Sequence, residues 1–186
     1  MPNKLLNGTN WSTPGDWNPV NAPVTGDDVR VSDSARDILT GDQGTVDLNT
    51  ILVPSRYVGS FGTSGAPLKS ATSKVDYRAR GGFFYESDKN GSSNFRTDEI
   101  RIDAADSAVK VEIGSNAADP GYVDKLIFVR CNALIKGNIA FDTVTTPLVE
   151  VMREASLTIA QGIANPLTLI HNHGAVVKSD SVISTM

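Results

Sequence analysis

Leu126, Leu148 and Leu167 lie 22 and 19 residues apart, and Ala133/Ala155/Gly174 and Val129/Val151/Ile170 repeat the same two unequal intervals. Three classes of position sharing unequal spacings point to copies of one structural unit joined by turns of slightly different length. A unit near 20 residues, made of short strands and tight turns, is one coil of a parallel β-solenoid. In such a fold equivalent strands stack in parallel around a column of aliphatic side chains. A looser match extends upstream, where Ile100/Ile102 and Val109/Val111 are placed like Leu126/Phe128 and Leu134/Ile135.

The local pattern agrees with strands. Asp28-Val29-Arg30-Val31, Val46-Asp47-Leu48, Glu99-Ile100-Arg101-Ile102 and Val109-Lys110-Val111-Glu112-Ile113 alternate apolar and polar residues at period two, which buries one face of a strand. Gly41-Asp42-Gln43-Gly44, Gly62-Thr63-Ser64-Gly65, Gly81-Gly82, Lys89-Asn90-Gly91 and Asp119-Pro120-Gly121 supply turns. One segment also reads as a helix: Thr146 as N-cap, Pro147 in the first turn, then Leu148, Val151, Met152, Ala155, Ile159 and Ile163 on one face. The repeat register selects strands instead, with Val149/Val151 and Leu157/Ile159 inward and Ser156/Thr158 outward. The expected fold is all-β, a single-domain right-handed parallel β-helix over residues 28–186, preceded by a cap or docking arm over residues 1–27.

Composition narrows the function classes. With 17 Lys+Arg against 21 Asp+Glu the net charge is −4, and the cations stand singly among carboxylates, as at Arg101, Lys110 and Lys125, so no nucleic-acid partner is expected. A single cysteine, Cys131, permits neither an intrachain disulfide nor a multi-cysteine zinc site; beside Asn132 in a strand pattern it reads as a small, inert, partly buried residue. Met1–Gly8 offers only two adjacent leucines where a secretory leader needs roughly 7–15 apolar residues. No stretch approaches the ~18 apolar residues of a membrane helix, so no membrane partner is expected.

A solenoid's ends expose unpaired backbone groups that recruit other chains unless they are covered. Both tryptophans, Trp11 and Trp17, fall with Pro14, Gly15, Pro19, Pro23 and Gly26 ahead of the first clear strand. They either plug the apolar column or anchor an arm on a partner. Leu126-Ile127-Phe128-Val129 carries apolar residues on both strand faces, which predicts burial of the outer face in a homotrimer.

The run Asn10-Trp11-Ser12, Asp16-Trp17 and Pro23-Val24-Thr25-Gly26-Asp27-Asp28-Val29-Arg30-Val31 resembles the opening of β-helical surface proteins of bacteria and their phages. Val46-Asp47-Leu48, Gly59-Ser60-Phe61-Gly62-Thr63-Ser64-Gly65-Ala66-Pro67-Leu68 and Arg80-Gly81-Gly82-Phe83-Phe84-Tyr85 follow in an order similar to small β-helical virion proteins of tailed bacteriophages, head decoration and fibre-like proteins among them. The resemblance implies a non-enzymatic virion structural protein. It would be made in the host cytoplasm and displayed on the virion surface as a homotrimer, with the major capsid protein or another virion protein as partner and no cofactor. Trp11 and Trp17 are then the capsid-contact candidates. A tail-fibre or receptor-binding module and a small carbohydrate-active β-helix are the alternatives, although the chain is much shorter than depolymerase tailspikes.

His171-Asn172-His173 is the sharpest local motif, since strand residues two apart share a side and both imidazoles could meet one metal near a three-fold axis. Two ligands per chain are too few without that symmetry, and the pair reads better as two histidines on a solvated turn between Ile170 and Gly174. Asp98, Glu99, Asp103 and Asp106, or Asp27-Asp28, are oxygen ligands suited to calcium but match no calcium-loop spacing and read as charges protecting strand edges. Asp27-Asp28 cannot both enter one glycosidase groove, because neighbours on a strand face opposite ways. Trp11, Trp17, Phe83, Phe84 and Tyr85 could form a sugar-stacking platform. They read better as capping rings and as alternating core and outward rings, with Phe84 or Tyr85 packing on a neighbouring subunit. No catalytic motif is present.

Overall fold

The structure is a computed structural model that describes residues 4–11, 13–33, 36–38, 42–87, 97–115, 121–137, 139–140, 148–160 and 170–180. Its strands are β1 (Lys4–Leu6), β2 (Trp17–Asn18), β3 (Asp28–Val31), β4 (Asp42–Val53), β5 (Leu68–Tyr77), β6 (Phe83–Ser87) and β7 (Thr97–Asp103). They continue as β8 (Lys110–Ser115), β9 (Gly121–Gly137), β10 (Ile139–Ala140), β11 (Leu148–Ile159), β12 (Ile170–His173) and β13 (Val176–Ser179). Apart from the antiparallel β1–β2 pair, the named strands pair in parallel. The one helical element among the described residues is a single 3-10 turn, Pro14–Asp16.

The pairings trace a β-solenoid, coil upon coil, as the period-two pattern predicts. One inward column runs Val29, Ile51, Val75, Ile100, Leu126, Val149, Ile170. A second runs Ile38, Phe61, Phe83, Val111, Ala133, Leu157, Val177 on the opposite part of the coil. Val53, Tyr77, Ile102, Phe128 and Val151 form a third, and Leu68, Tyr85, Ile113, Ile135 and Ile159 a fourth. Each of these residues except Val177 is buried. This continuous core takes the place of the packed layers of an ordinary domain, with coils about 4.8 Å apart. Tyrosine fits inside it because its hydroxyl finds a carbonyl: Tyr57 donates at 2.8 Å to the Arg36 or Ser60 carbonyl, and Tyr77 donates to Gly81.

The contested segment is strand: β11 replaces the helix, with Val149, Val151, Leu157 and Ile159 inward as expected. The coil spacing differs from the expected 22 and 19. Leu126 pairs with Val149, and Ala133 with Leu157, so the columns Leu126/Leu148 and Ala133/Ala155 do not form; Ala155 stacks on Cys131. Val151 stacks on Phe128 in the register that Val149 and Leu126 set, the bulge between Val151 and Glu154 then leaves Val129 out of the ladder, and Ile170 stacks on Val149. Gly174 meets Met152 in an isolated bridge, and Leu167 lies outside the described residues. An inward position asks only for an apolar side chain, so matching leucine to leucine sets the register one residue off, and a one-residue slip exchanges the two faces. Upstream, Ile100 and Ile102 do stack on Leu126 and Phe128. Val111, however, stacks on Ala133, and it is Ile113 that stacks on Ile135.

The N-terminal residues close one end of the core. Trp11 and Trp17 are 1% and 2% exposed, their rings 5.1 Å apart and edge to face, and Trp11 sits 5.7 Å from the Phe61 ring in the same manner. Trp17 Nε1 donates to the Trp11 carbonyl at 2.9 Å. Asp16 holds the loop by accepting from the Thr9 and Asn10 amides at 3.1 and 2.8 Å. Pro23–Asp27 makes the entry turn: Gly26 takes φ 88°, Asp27 Oδ2 accepts from the Val24 amide at 2.9 Å, and Gly26 N–H donates to Asp47. β1 already pairs in parallel with β3, so this cap shares the solenoid's hydrogen bonding.

Candidate functional site

Four coils turn the same corner just after the column of Val53, Tyr77, Ile102 and Phe128. Tyr57, Ala79, Ala104 and Cys131 are buried at that corner. The turn backbones bond from coil to coil: Arg78 N–H to Val53, Arg80 N–H to Tyr57, Ala105 N–H to Ala79 and Ala104 N–H to Arg130, at 2.9 to 3.1 Å. The residues between them face outward, and they include Arg56, Arg78, Arg80 and Arg130. With Ser55 and Ala105 too short to fill the space below these long side chains, a concavity of about 590 Å³ opens to solvent, with Val58 and Asp103 completing its wall.

The arginines are held to different degrees. Asp76 grips Arg78 through Nε at 3.0 Å and Nη2 at 2.5 Å. Arg130 Nε donates to the Ala104 carbonyl at 2.6 Å, and its Nη2 lies 3.6 Å from Asp103, which Arg101 also approaches at 3.7 Å. Arg56 and Arg80 are exposed and have no ion pair among the described residues. Four guanidinium groups thus face two carboxylates on a chain whose net charge is −4. Sequence reading missed this site because Arg56, Arg78, Arg80 and Arg130 stand singly along the chain. Spacings of roughly one coil, Arg56 to Arg78 or Arg80 and on to Asp103 and Arg130, are the signal that joins them.

A second polar cluster lies on another flank. Residues 62–67 leave the coil between the inward Phe61 and Leu68, turned by Gly62 at φ 79°, and Ser64 reaches Glu112, to which its Oγ donates at 2.7 Å. Glu112 also takes Lys110 at 2.6 Å and Lys136. Burial alone would raise this carboxyl; the hydrogen bonds from Lys110, Lys136 and Ser64 outweigh it and hold it at about 2. Phe84 faces outward beneath Lys110, whose Nζ is 5.8 Å from the ring centre, while Phe83 and Tyr85 are buried. The alternation of these three rings is as expected, and a side chain of the same subunit covers part of Phe84.

The remaining candidates are dispersed. His171 and His173 are exposed on β12, in register with Glu150 and Met152, and Glu150 is engaged by Lys125 at 3.5 Å. Among the described residues no group of three or more His, Cys, Asp or Glu could hold a metal. Glu99 pairs with Lys74 at 3.1 Å, and Asp106 accepts from the Ala108 amide at 2.7 Å. Asp98 lies near Asp47, whose carboxyl is raised by burial and by the Asp98 charge. Asp28 accepts from Thr50 Oγ1 at 2.8 Å on one strand face while Asp27 serves the entry turn on the other. Trp11 and Trp17 are enclosed by the cap, which leaves neither ring at the surface for a capsid contact or a sugar platform. Cys131 is fully buried, and burial pushes its thiol up to about 12. Ile127, expected to need a trimer interface, is 7% exposed within the single chain.

The chain matches no family model, no curated protein and no solved structure.

Proposed function

We propose that this β-solenoid is a non-enzymatic structural protein of a tailed-phage virion, a head decoration protein docking on the shell as a trimer. The observation that carries the reading is the engagement of its candidate acids. Glu112, Glu99, Asp103, Asp106, Asp27 and Asp28 each hold a lysine, an arginine, a hydroxyl or a turn amide, which is what a rigid display element needs and a proton-transfer pair does not. With both tryptophans inside the cap, docking falls to other surface groups. The decisive experiment is to add the purified chain to particles lacking decoration and measure copy number by cryo-electron microscopy, with light scattering of the free chain alongside. Fixed stoichiometry at symmetry-equivalent sites and a trimeric mass support the proposal. A monomer that leaves every such particle bare overturns it.

The arginine-lined cleft favours a second reading, a receptor-binding module, because a solvated cationic hollow on the flank suits ligand capture more than shell contact. Binding to host cells but not to particles selects it.

A further inference from the structure

The geometry points to the hollow formed by Arg56, Arg78, Arg80 and Arg130 as a binding site for a compact polyvalent oxyanion, a small molecule carrying two or more phosphate or carboxylate groups. The inference is independent of the virion reading, since the site lies on the flank of the coils and not at either end.

Three features of the site carry it. First, guanidinium is the side chain best matched to oxyanions, offering a planar fork of donors to two oxygens at once. Arg56 and Arg80 hold theirs free of any ion pair among the described residues, while Arg78 and Arg130 are fixed in place by Asp76 and the Ala104 carbonyl. Two anchored and two free arginines form a site that is partly built yet not neutralised. Second, the charge is local: four arginines against Asp76 and Asp103 leave an excess of positive charge at one corner of an acidic chain, where an anion is attracted. Third, the size fits. A hollow of about 590 Å³ falls within the 300–1,000 Å³ typical of small-molecule sites, and its Ala105 floor leaves room among the arginines. The arginines are spread over coils about 4.8 Å apart, so one monovalent ion cannot satisfy them together.

The same features argue against extended polyanions. Among the described residues no aromatic ring lines the hollow for bases to stack on. The surrounding chain is acidic, so a long polyanion leaving the site meets repulsion rather than a basic track.

The test uses the full chain and isothermal titration calorimetry. Inositol hexakisphosphate is the phosphate probe and 1,2,3-propanetricarboxylate the carboxylate probe, with heparin as an extended polyanion. We expect saturable one-to-one binding of at least one compact probe, weakened as salt rises from 50 to 200 mM. Arg80→Gln or Arg56→Gln should lower its affinity about tenfold, the loss of one charge-assisted contact. Ala105→Glu, which puts a carboxylate in the floor, should abolish it. Lys178→Gln, on an exposed position of the last coil, should leave it unchanged. The stronger compact probe tells phosphate from carboxylate preference. Failure of both compact probes overturns the proposal, as does binding of heparin alone, or equal loss in Lys178→Gln and Arg80→Gln. Circular dichroism of each variant confirms that it is folded, and because the substitutions fall at separate surface positions, one misfolded variant leaves the others decisive.

Discussion

At the N-terminal end the apolar columns stop against two indole rings 1% and 2% exposed; at the other end His171, Asn172, His173, Gly174 and Val176 all face solvent. The first end is closed by bulk. In the last described coil, polar residues stand in register with the inward columns instead: Asn172 follows Phe128 and Val151, and Ser179 follows Ile135 and Ile159. Asn172 spends its amide on the chain itself, donating to the Ala175 carbonyl at 3.2 Å and accepting from its N–H at 2.7 Å. Among the described residues Ile170, at 1% exposure, is the last deeply buried one. A ring plug adds much hydrophobic stabilisation to an aliphatic stack, whereas a coil graded toward polarity adds little.

The largest effect that probes this contrast is expected from Trp17→Ala. It removes a buried ring, its edge-to-face partner and its hydrogen bond, and should cost about 3–5 kcal/mol in denaturant unfolding. If Val177→Ala at the opposite end costs as much, the contrast collapses. Next comes acid, which reports on the body between the two ends. The Glu112 carboxyl is held below its ordinary value of 4.5, at about 2. Its contribution is therefore complete above pH ~4.5 and is lost as pH falls toward ~2. Because Lys110 is largely exposed, we expect only about 1–2 kcal/mol. In Glu112→Gln that part of the acid dependence should vanish, and an unchanged profile would show that the cluster adds nothing.

Asn172→Val extends the apolar column into solvent and removes the turn bonds, so about 1 kcal/mol of stability should go, together with increased self-association by light scattering. A variant that is both more stable and monodisperse would mean that the polar ending is incidental. The smallest effect belongs to Val176→Ala, at 60% exposure, which should change stability by less than ~0.5 kcal/mol. Hydrogen exchange should meanwhile find the amides of β12 and β13 less protected than those of β4 and β5, which have strands on both sides. Equal protection would indicate that the last coil is covered.

The inward and outward assignments were legible because alternation is local: Val149, Val151, Leu157 and Ile159 declare their faces without reference to any other coil. The segment ahead of the first strand stood out through its rings, prolines and glycines, but these residue types suit a plug and an arm alike, so its packing inward was not legible. Coil length was not, because Leu148 and Val149 are equally acceptable neighbours for Leu126 until backbone pairing chooses, and the bulge after Val151 has no marker in the residues. The cleft was still less accessible. Arg56 and Arg130 become neighbours only through the accumulated register of the coils between them, so any error in coil length scatters them again.

The excursion at residues 62–67 has a mechanical consequence. A solenoid ordinarily behaves as a row of units, each coupled only to its neighbours, and can melt from an end one unit at a time. Ser64 departs from that scheme: it leaves the coil of Phe61, passes the coil of Phe83, and meets Glu112 and Lys136 on the two coils beyond. Such a strap couples units that are not adjacent, so none of these four coils can loosen alone. Pulled from its last coil, the chain would peel at first in small steps. It would then reach the strapped block and yield there in one larger event, so force would register a single cooperative body where the hydrogen-bonding pattern draws a ladder of separate rungs.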